Sequence, residues 1–273
     1  MPLTAPFVTN PASAGLFFFG YNIPMALKWS FRRQFLYYSV AAVILLVLAL
    51  AAYIAFFTAA PTCFDGKQNG NETGADCGGG CALLCTQESR APVVRWARAF
   101  RTSSQTYTAA VYVQNPNQGA GAAAVPYTLQ LFDDRNLLVV EIEGSLDIPP
   151  VQTVPVVVPN INVGTRTVSR TLFTFTEEPV WRKTGPLPVL RIQNQRLSAD
   201  GSRLSAAVYN DSNSEARDAV AAAVLFDSQG IARAASLSRI QSIARKAAQE
   251  VVFTWSGGVP DIVRAEITVL PPL

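Results

Sequence analysis

The sequence predicts a mainly β protein: one N-terminal transmembrane α-helix followed by two tandem antiparallel β-sandwich domains. Three observations carry that expectation. Residues 34–64 contain no charged side chain, all four cysteines fall between residues 63 and 85, and the chain beyond residue 91 repeats its own strand-like runs. Of its 273 residues 49% are hydrophobic and 15% charged, against about 25% charged in ordinary globular proteins. Part of the chain is therefore suited to surroundings other than water. The expected boundaries are a short cytoplasmic tail over 1–34, the transmembrane helix over 35–57 and a Cys-rich loop over 58–90. The first sandwich follows over 91–180, a linker over 181–187 and the second sandwich over 188–273.

Residues 35–57 are apolar throughout, and at about 1.5 Å rise they make a helix of about 35 Å, enough for a hydrocarbon core of about 30 Å. Tyr37, Tyr38 and Tyr53 stand near its ends, where amphipathic rings favour the headgroup region. Lys28, Arg32 and Arg33 precede the run, with no acid in the first 34 residues; beyond it 19 Lys+Arg balance 19 Asp+Glu. The positive flank stays inside, which places the N-terminus in the cytoplasm, the C-terminal domains outside and the net +3 on the cytoplasmic side. A cleaved signal peptide fits less well: its apolar core is shorter, and Pro61 follows the small residues Ala59 and Ala60. The Phe-rich tail, with Phe17, Phe18 and Phe19 at its centre, reads as a disordered segment with some affinity for the interface or a partner.

Cys63, Cys77, Cys81 and Cys85, even in number and placed outside, read as two disulfides of open connectivity. Zinc is the competing use of Cys-x3-Cys-x3-Cys, disfavoured by an oxidising compartment. Asp65-Gly66, Asn69-Gly70 and Gly78-Gly79-Gly80 supply tight turns. Asp65, Asn69, Asn71, Glu72 and Asp76 gather oxygens as a calcium loop does, without EF-hand spacing, and would serve equally as turn caps. Residues 63–81 follow the pattern C-x-D-G-x-x-N-G-x-E-T-x-x-D-C-G-G-x-C. In this they resemble a short module of microbial secreted and surface proteins, which implies a small extracellular disulfide knot without an activity.

Downstream, Pro92-Val93-Val94-Arg95 recurs as Pro188-Val189-Leu190-Arg191, and Tyr107-Thr108-Ala109-Ala110-Val111-Tyr112 as Leu204-Ser205-Ala206-Ala207-Val208-Tyr209. Leu129-Gln130-Leu131-Phe132-Asp133 recurs as Ala223-Val224-Leu225-Phe226-Asp227, and Leu172-Phe173-Thr174-Phe175 as Val252-Phe253-Thr254-Trp255. Asn-rich turns follow the second motif in each copy, and Asp200-Gly201 marks a hairpin. Residues 236–249 read as strand, turn, strand by analogy with the first copy. The Pro-rich stretch 148–164 reads as an insertion that lengthens that copy. At Asn115, Leu131, Phe132 and Asp133, and at Asn210, Leu225, Phe226 and Asp227, the chain resembles the immunoglobulin-like bacterial envelope domains named for an F-x-L-Y-D signature. More distantly it resembles the water-stress and hypersensitive-response sandwich. Phe stands in place of the signature Tyr. The resemblance implies non-catalytic binding or scaffolding domains.

The chain has no histidine, which excludes Ser-His-Asp and Cys-His catalysis and HExxH zinc chemistry. No phosphate-binding Gly loop or G-x-S-x-G elbow stands in residues 92–273, so no enzymatic activity and no cofactor beyond the calcium option is expected. Glu141 and Glu143 share one strand face, which a solvated surface explains. Arg95, Arg98 and Arg101 beside Trp96 and Phe100 invite a nucleic-acid reading, but a neutral ectodomain has no electrostatic footprint; cation–π support of a sandwich edge is expected instead. Asn71-Glu72-Thr73 and Asn210-Asp211-Ser212 fit the N-glycosylation pattern. The expected partners are the lipid bilayer and other envelope or surface proteins, with an oligomer or membrane complex in view. The expected role is adhesion, scaffolding or subunit assembly at the cell surface, and the competing role is a ligand-binding sensor or accessory subunit.

Overall fold

The computed structural model describes residues 25–57, 60–151, 153–271 and 273. The chain divides into two compact units at Ala60. The Phe-rich tail lies outside the described residues. The first unit is helix α1 (Met25–Phe57), which begins ten residues earlier than the apolar run. Hydropathy marks where a helix suits lipid, whereas a helix continues until something breaks it, and no breaker stands between Pro24 and Arg33. On the added turns the Arg33 guanidinium lies 4.4 Å from the centre of the Trp29 ring. Val43, Ile44, Leu46 and Phe56 are all exposed. The helix is apolar on every side, and over Trp29–Phe57 it is long and apolar enough to cross a membrane.

The second unit begins with a knot over residues 61–90 and continues as strands. In the first copy these are β1 (Val93–Arg101), β2 (Thr106–Gln114), β3 (Ala120–Phe132), β4 (Leu138–Ile148), β5 (Thr153–Asn162) and β6 (Arg170–Phe175). The two-residue β7 (Arg182–Lys183) leads into β8 (Leu190–Leu197), β9 (Arg203–Asn210), β10 (Ala216–Asp227), β11 (Ala232–Ile243), β12 (Ala248–Thr254) and β13 (Ile262–Leu270). All pairings between these strands are antiparallel. The first sandwich packs sheet β1-β2-β5 on sheet β4-β3-β6, and the second packs β8-β9-β12 on β11-β10-β13. Val111, Val113, Leu129, Leu131, Ile148 and Phe173 fill the first core; Leu204, Val208, Leu225, Ile240, Val251 and Phe253 fill the second.

The repeat is real, but its last expected match joins the wrong strands. Leu172–Phe175 lies on β6, beside β3, whereas Val252–Thr254 lies on β12, beside β9. The counterpart of β12 is β5, which pairs with β2 in the same place. Residues 153–162 are therefore an integral strand and not an insertion. An aromatic at alternate positions fits any strand with one face on a core, so the short aromatic match carried no position. Prolines 155 and 159 sit within β5 because it is an edge strand, where a missing N–H costs no ladder bond. Residues 236–249 form strand, turn and strand as expected. The hairpin at Asp200-Gly201 also forms: Gly201 has φ +66°, and a side chain there would run into the carbonyl of Val259.

The sequence predicts strands with one buried face, but β2 and β10 are buried on both. Ala109, Val111 and Val113 face the first core, while Ala110 faces Val224, Phe226, Ala232 and Ala235 of the second copy. Trp96, Phe100, Tyr112 and Val157 close around them. The outer face of sheet β1-β2-β5 thus meets the outer face of sheet β11-β10-β13, and the four sheets follow one another as layers. Trp96 stacks on Tyr112 at 4.6 Å, and Tyr112 meets Phe226 edge-on. The Tyr112 hydroxyl donates to Glu266 at 3.0 Å. The Arg264 guanidinium sits 4.3 Å from the Phe226 ring and 2.7 Å from Glu266. Phe226→Ala empties the centre of this junction and is expected to cost about 3 kcal/mol or more, measured as a lower urea midpoint for the detergent-solubilised chain.

Candidate functional site

The knot is closed by disulfides Cys63–Cys81 and Cys77–Cys85, which leaves no free thiol for zinc among the described residues. Its carboxylates serve its own backbone. Asp76 accepts the amides of Asp65 and Gly66, each at 2.8 Å, across ten and eleven residues of loop. Asp65 accepts the Lys67 amide and the Asn69 side chain. Glu72 accepts the amides of Asn69 and Asp76. The carbonyl of Asn71 accepts the Gly80 amide. The Asn69 side chain, with help from the Lys67 amide, holds the Asp65 carboxyl below its ordinary range.

Four of the five calcium candidates, Asp65, Asn69, Glu72 and Asp76, are thus brought together, and their oxygens mostly cap turns; Asn69 Oδ1 is buried without a hydrogen-bond partner. Cys63, Glu72 and Cys81 also converge within 4.8 Å. The two sulfurs bond each other, so they offer no thiolate to a metal. Oxygens already spent on amides predict the same melting temperature in calcium and in chelator. A calcium-dependent rise would show that Asn69 and Asp65 turn to a cation.

The knot is bonded to the first sandwich. The Leu84 amide donates to Trp181 at 2.9 Å, and the Lys183 amide donates to Ala82 at 2.7 Å. Leu83 bridges Arg182, and β7 in turn pairs Ala120 and Gly121 of β3. Asn117 exchanges two hydrogen bonds of 2.8 Å with the backbone of Arg90. The segment expected to be a linker is therefore held on both sides, and Trp181 is buried in the first core.

Each copy carries the same two polar fixtures at its strand ends. Asn115 donates to the carbonyls of Ala120 and Pro149 and accepts the Asn117 amide. Asn210 donates to Ser214 and Ile243 and accepts the Ser212 amide. Asn210 is 0% exposed, so of the two sequons only Asn71 is at the surface. Asp133 accepts the amides of Arg135 and Leu137 and pairs with Arg166 at 2.6 Å. Asp227 accepts the amides of Gln229 and Ile231 and pairs with Arg233 at 2.6 Å. The two arginines come from different places in the two copies, so the repeated job belongs to the aspartate.

The Arg166 hydrogen bond leads in lowering the Asp133 pKa, and the Ile231 amide leads for Asp227. The Ser198 hydroxyl and the Ser202 amide bring Asp200 to about 2. Carboxyls depressed on folding stabilise above their unfolded pKa of about 3.9, and that stability is lost as pH falls through the folded values. The melting temperature is expected to hold from pH 7 to about 5 and to fall steeply below about 4 toward 2. Asp227→Asn lowers the plateau and flattens the fall, as a pH series of melting curves would show.

Arg95, Arg98 and Arg101 do not form the expected cation–π support. A register irregularity lies between Val94 and Trp96, and Trp96 and Phe100 are taken into the junction. The ring–guanidinium contacts among the described residues are those of Arg33, Arg170 and Arg264. Glu141 and Glu143 do share a face of β4, where Glu141 accepts from Gln130 across the strand pair.

Beside the junction the two copies leave a cleft of about 1040 Å³. Phe100, Arg101, Thr108 and Asn160 line one side; Arg233, Ser236, Leu237, Trp255 and Asp261 line the other. No sequence motif marks it. The available signal was the unbroken apolar runs of residues 109–113 and 219–226, which suit strands covered on both faces and so imply a second layer.

No family model matches the chain, and no curated protein matches it. The structure of red sea bream transglutaminase is similar over 66% of this chain and 29% of its own length, at 10% identity and a TM-score of 0.21. That likeness is too loose to bear on fold or activity.

Proposed function

We propose that this chain is a single-pass membrane protein whose N-terminus is cytoplasmic and whose tandem sandwich stands outside, as a non-catalytic binding or scaffolding ectodomain of the cell envelope. The observation that carries the reading is the order of parts around residue 60. A helix of membrane-spanning length with basic residues at its start is followed, six residues after its end, by the first of four disulfide-bonded cysteines. Basic flanks stay inside and disulfides persist in oxidising compartments, so two independent signals agree on one orientation. The carboxylates at the ends of the strands are engaged in capping and ion pairs, as befits a scaffold. The resemblance to F-x-L-Y-D envelope domains points the same way.

The cleft between the copies favours a ligand-binding subunit of a membrane complex as the second reading. Protease added to intact cells is expected to remove the sandwiches and spare the helix, as detected by antibodies to each end. Survival of the sandwiches would overturn the orientation. Cross-linking in intact membranes is expected to capture neighbouring surface proteins.

A further inference from the structure

We propose that the cleft along β11 receives an extended peptide segment by strand addition, an inference that rests on the binding role above and names its partner's chemistry. β11 is an edge strand paired with β10 alone. The carbonyl of Ala235 points away from β10, because it accepts the indole N–H of Trp255 at 3.2 Å. Antiparallel pairing alternates residue by residue. The pairing here is regular from Ala234 through Ser238, so Leu237 turns its N–H and C=O to the same outer side. Leu237 lines the cleft.

An unguarded sheet edge is a liability that proteins normally blunt with charge, proline or irregularity. β5 carries two prolines, β4 carries Glu141, Glu143 and Asp147, and β1 carries three arginines. The stretch of β11 from Ala234 to Ser238 reads Ala-Ala-Ser-Leu-Ser, with none of these. That uncharged stretch, capped at the Ala235 carbonyl by the Trp255 indole, is the one beside the cleft.

The cleft suits a neutral backbone. Arg233 is matched by Asp227 at 2.6 Å, and the other two charges of the lining, Arg101 and Asp261, are one of each sign. Its volume of about 1040 Å³ lies at the upper end of ligand sites, which run to about 1,000 Å³. Main-chain hydrogen bonds to Leu237 would hold the strand, and Phe100 and Val259 would receive alternate side chains.

The test pans a phage-displayed library of random linear peptides against the full chain in lipid nanodiscs. Enriched peptides are expected to slow hydrogen exchange at the Leu237 amide of the unaltered protein. They are also expected to bind Leu237→Pro about tenfold more weakly. Proline there removes an outward N–H and leaves the β10 ladder intact. No enrichment, no slowing at Leu237, or equal binding to Leu237→Pro overturns the site. Binding of neutral oligosaccharides on a glycan array that slows the same amide also overturns it, in favour of a sugar site. These outcomes leave the envelope role standing, since it is read separately by protease and cross-linking. Sandwiches found in the cytoplasm would sink that role without touching the cleft.

Discussion

The outer faces of two sheets are buried against each other, and the form of the ectodomain follows from that single apolar contact. Ala110 and Val224 are fully buried in the junction, although each lies on the side of its strand turned away from its own core. Two sandwiches joined by a free linker would expose these faces to water at a cost of roughly 25 cal/mol per Å² of apolar surface. Packed together, they make four layers from two copies of one plan. Alanines dominate the centre of both strands because small side chains let two sheets approach closely. Trp96 and Tyr112 pack against Phe226 within it, and the Tyr112 hydroxyl finds a carboxylate. Burial, more than Glu266 beside it, pushes that phenol well above its ordinary range and keeps it a neutral donor.

Around that contact, polar groups are used to hold backbone in place. The buried asparagines and the strand-end aspartates repeat between copies because each satisfies two or more orphan amides or carbonyls that the sandwich turns leave behind. The knot extends the same economy outward. Its carboxylates hold its own loop, its disulfides close it, and its last residues bond the segment that leads from the first copy to the second. What reads as three parts in sequence is a continuous hydrogen-bonded structure from the knot through both sandwiches.

Much of this was legible beforehand. The helix announced itself by an uncharged run longer than any soluble helix needs, and the disulfides by four cysteines in one stretch. The first three repeated motifs named equivalent strands, and the second and third each combined a strand with a turn residue, Asn115 or Asp133, whose job fixes its position. The fourth motif lacked a turn residue, and it matched β6 to β12 across different sheets. Prolines in residues 148–164 masked β5, since an edge strand tolerates proline while a sequence pattern penalises it. Of the calcium candidates, the sequence showed a cluster of oxygens; only coordinates showed how many were already spent on amides.

By itself, then, the sequence determined the strand-building periodicity, the paired turns, the cysteine loop and the span long enough for a bilayer, because each depends on residues close together in the chain. It left to the tertiary structure the partner of each cysteine, the pairing of β5 and β12, the welding of the two copies and the cleft beside their junction. The cysteine and strand pairings depend on how the chain between them folds back, and the junction and cleft on which apolar face finds another across a hundred residues or more. Alternation in a strand records that a face is apolar; it does not record which surface covers it.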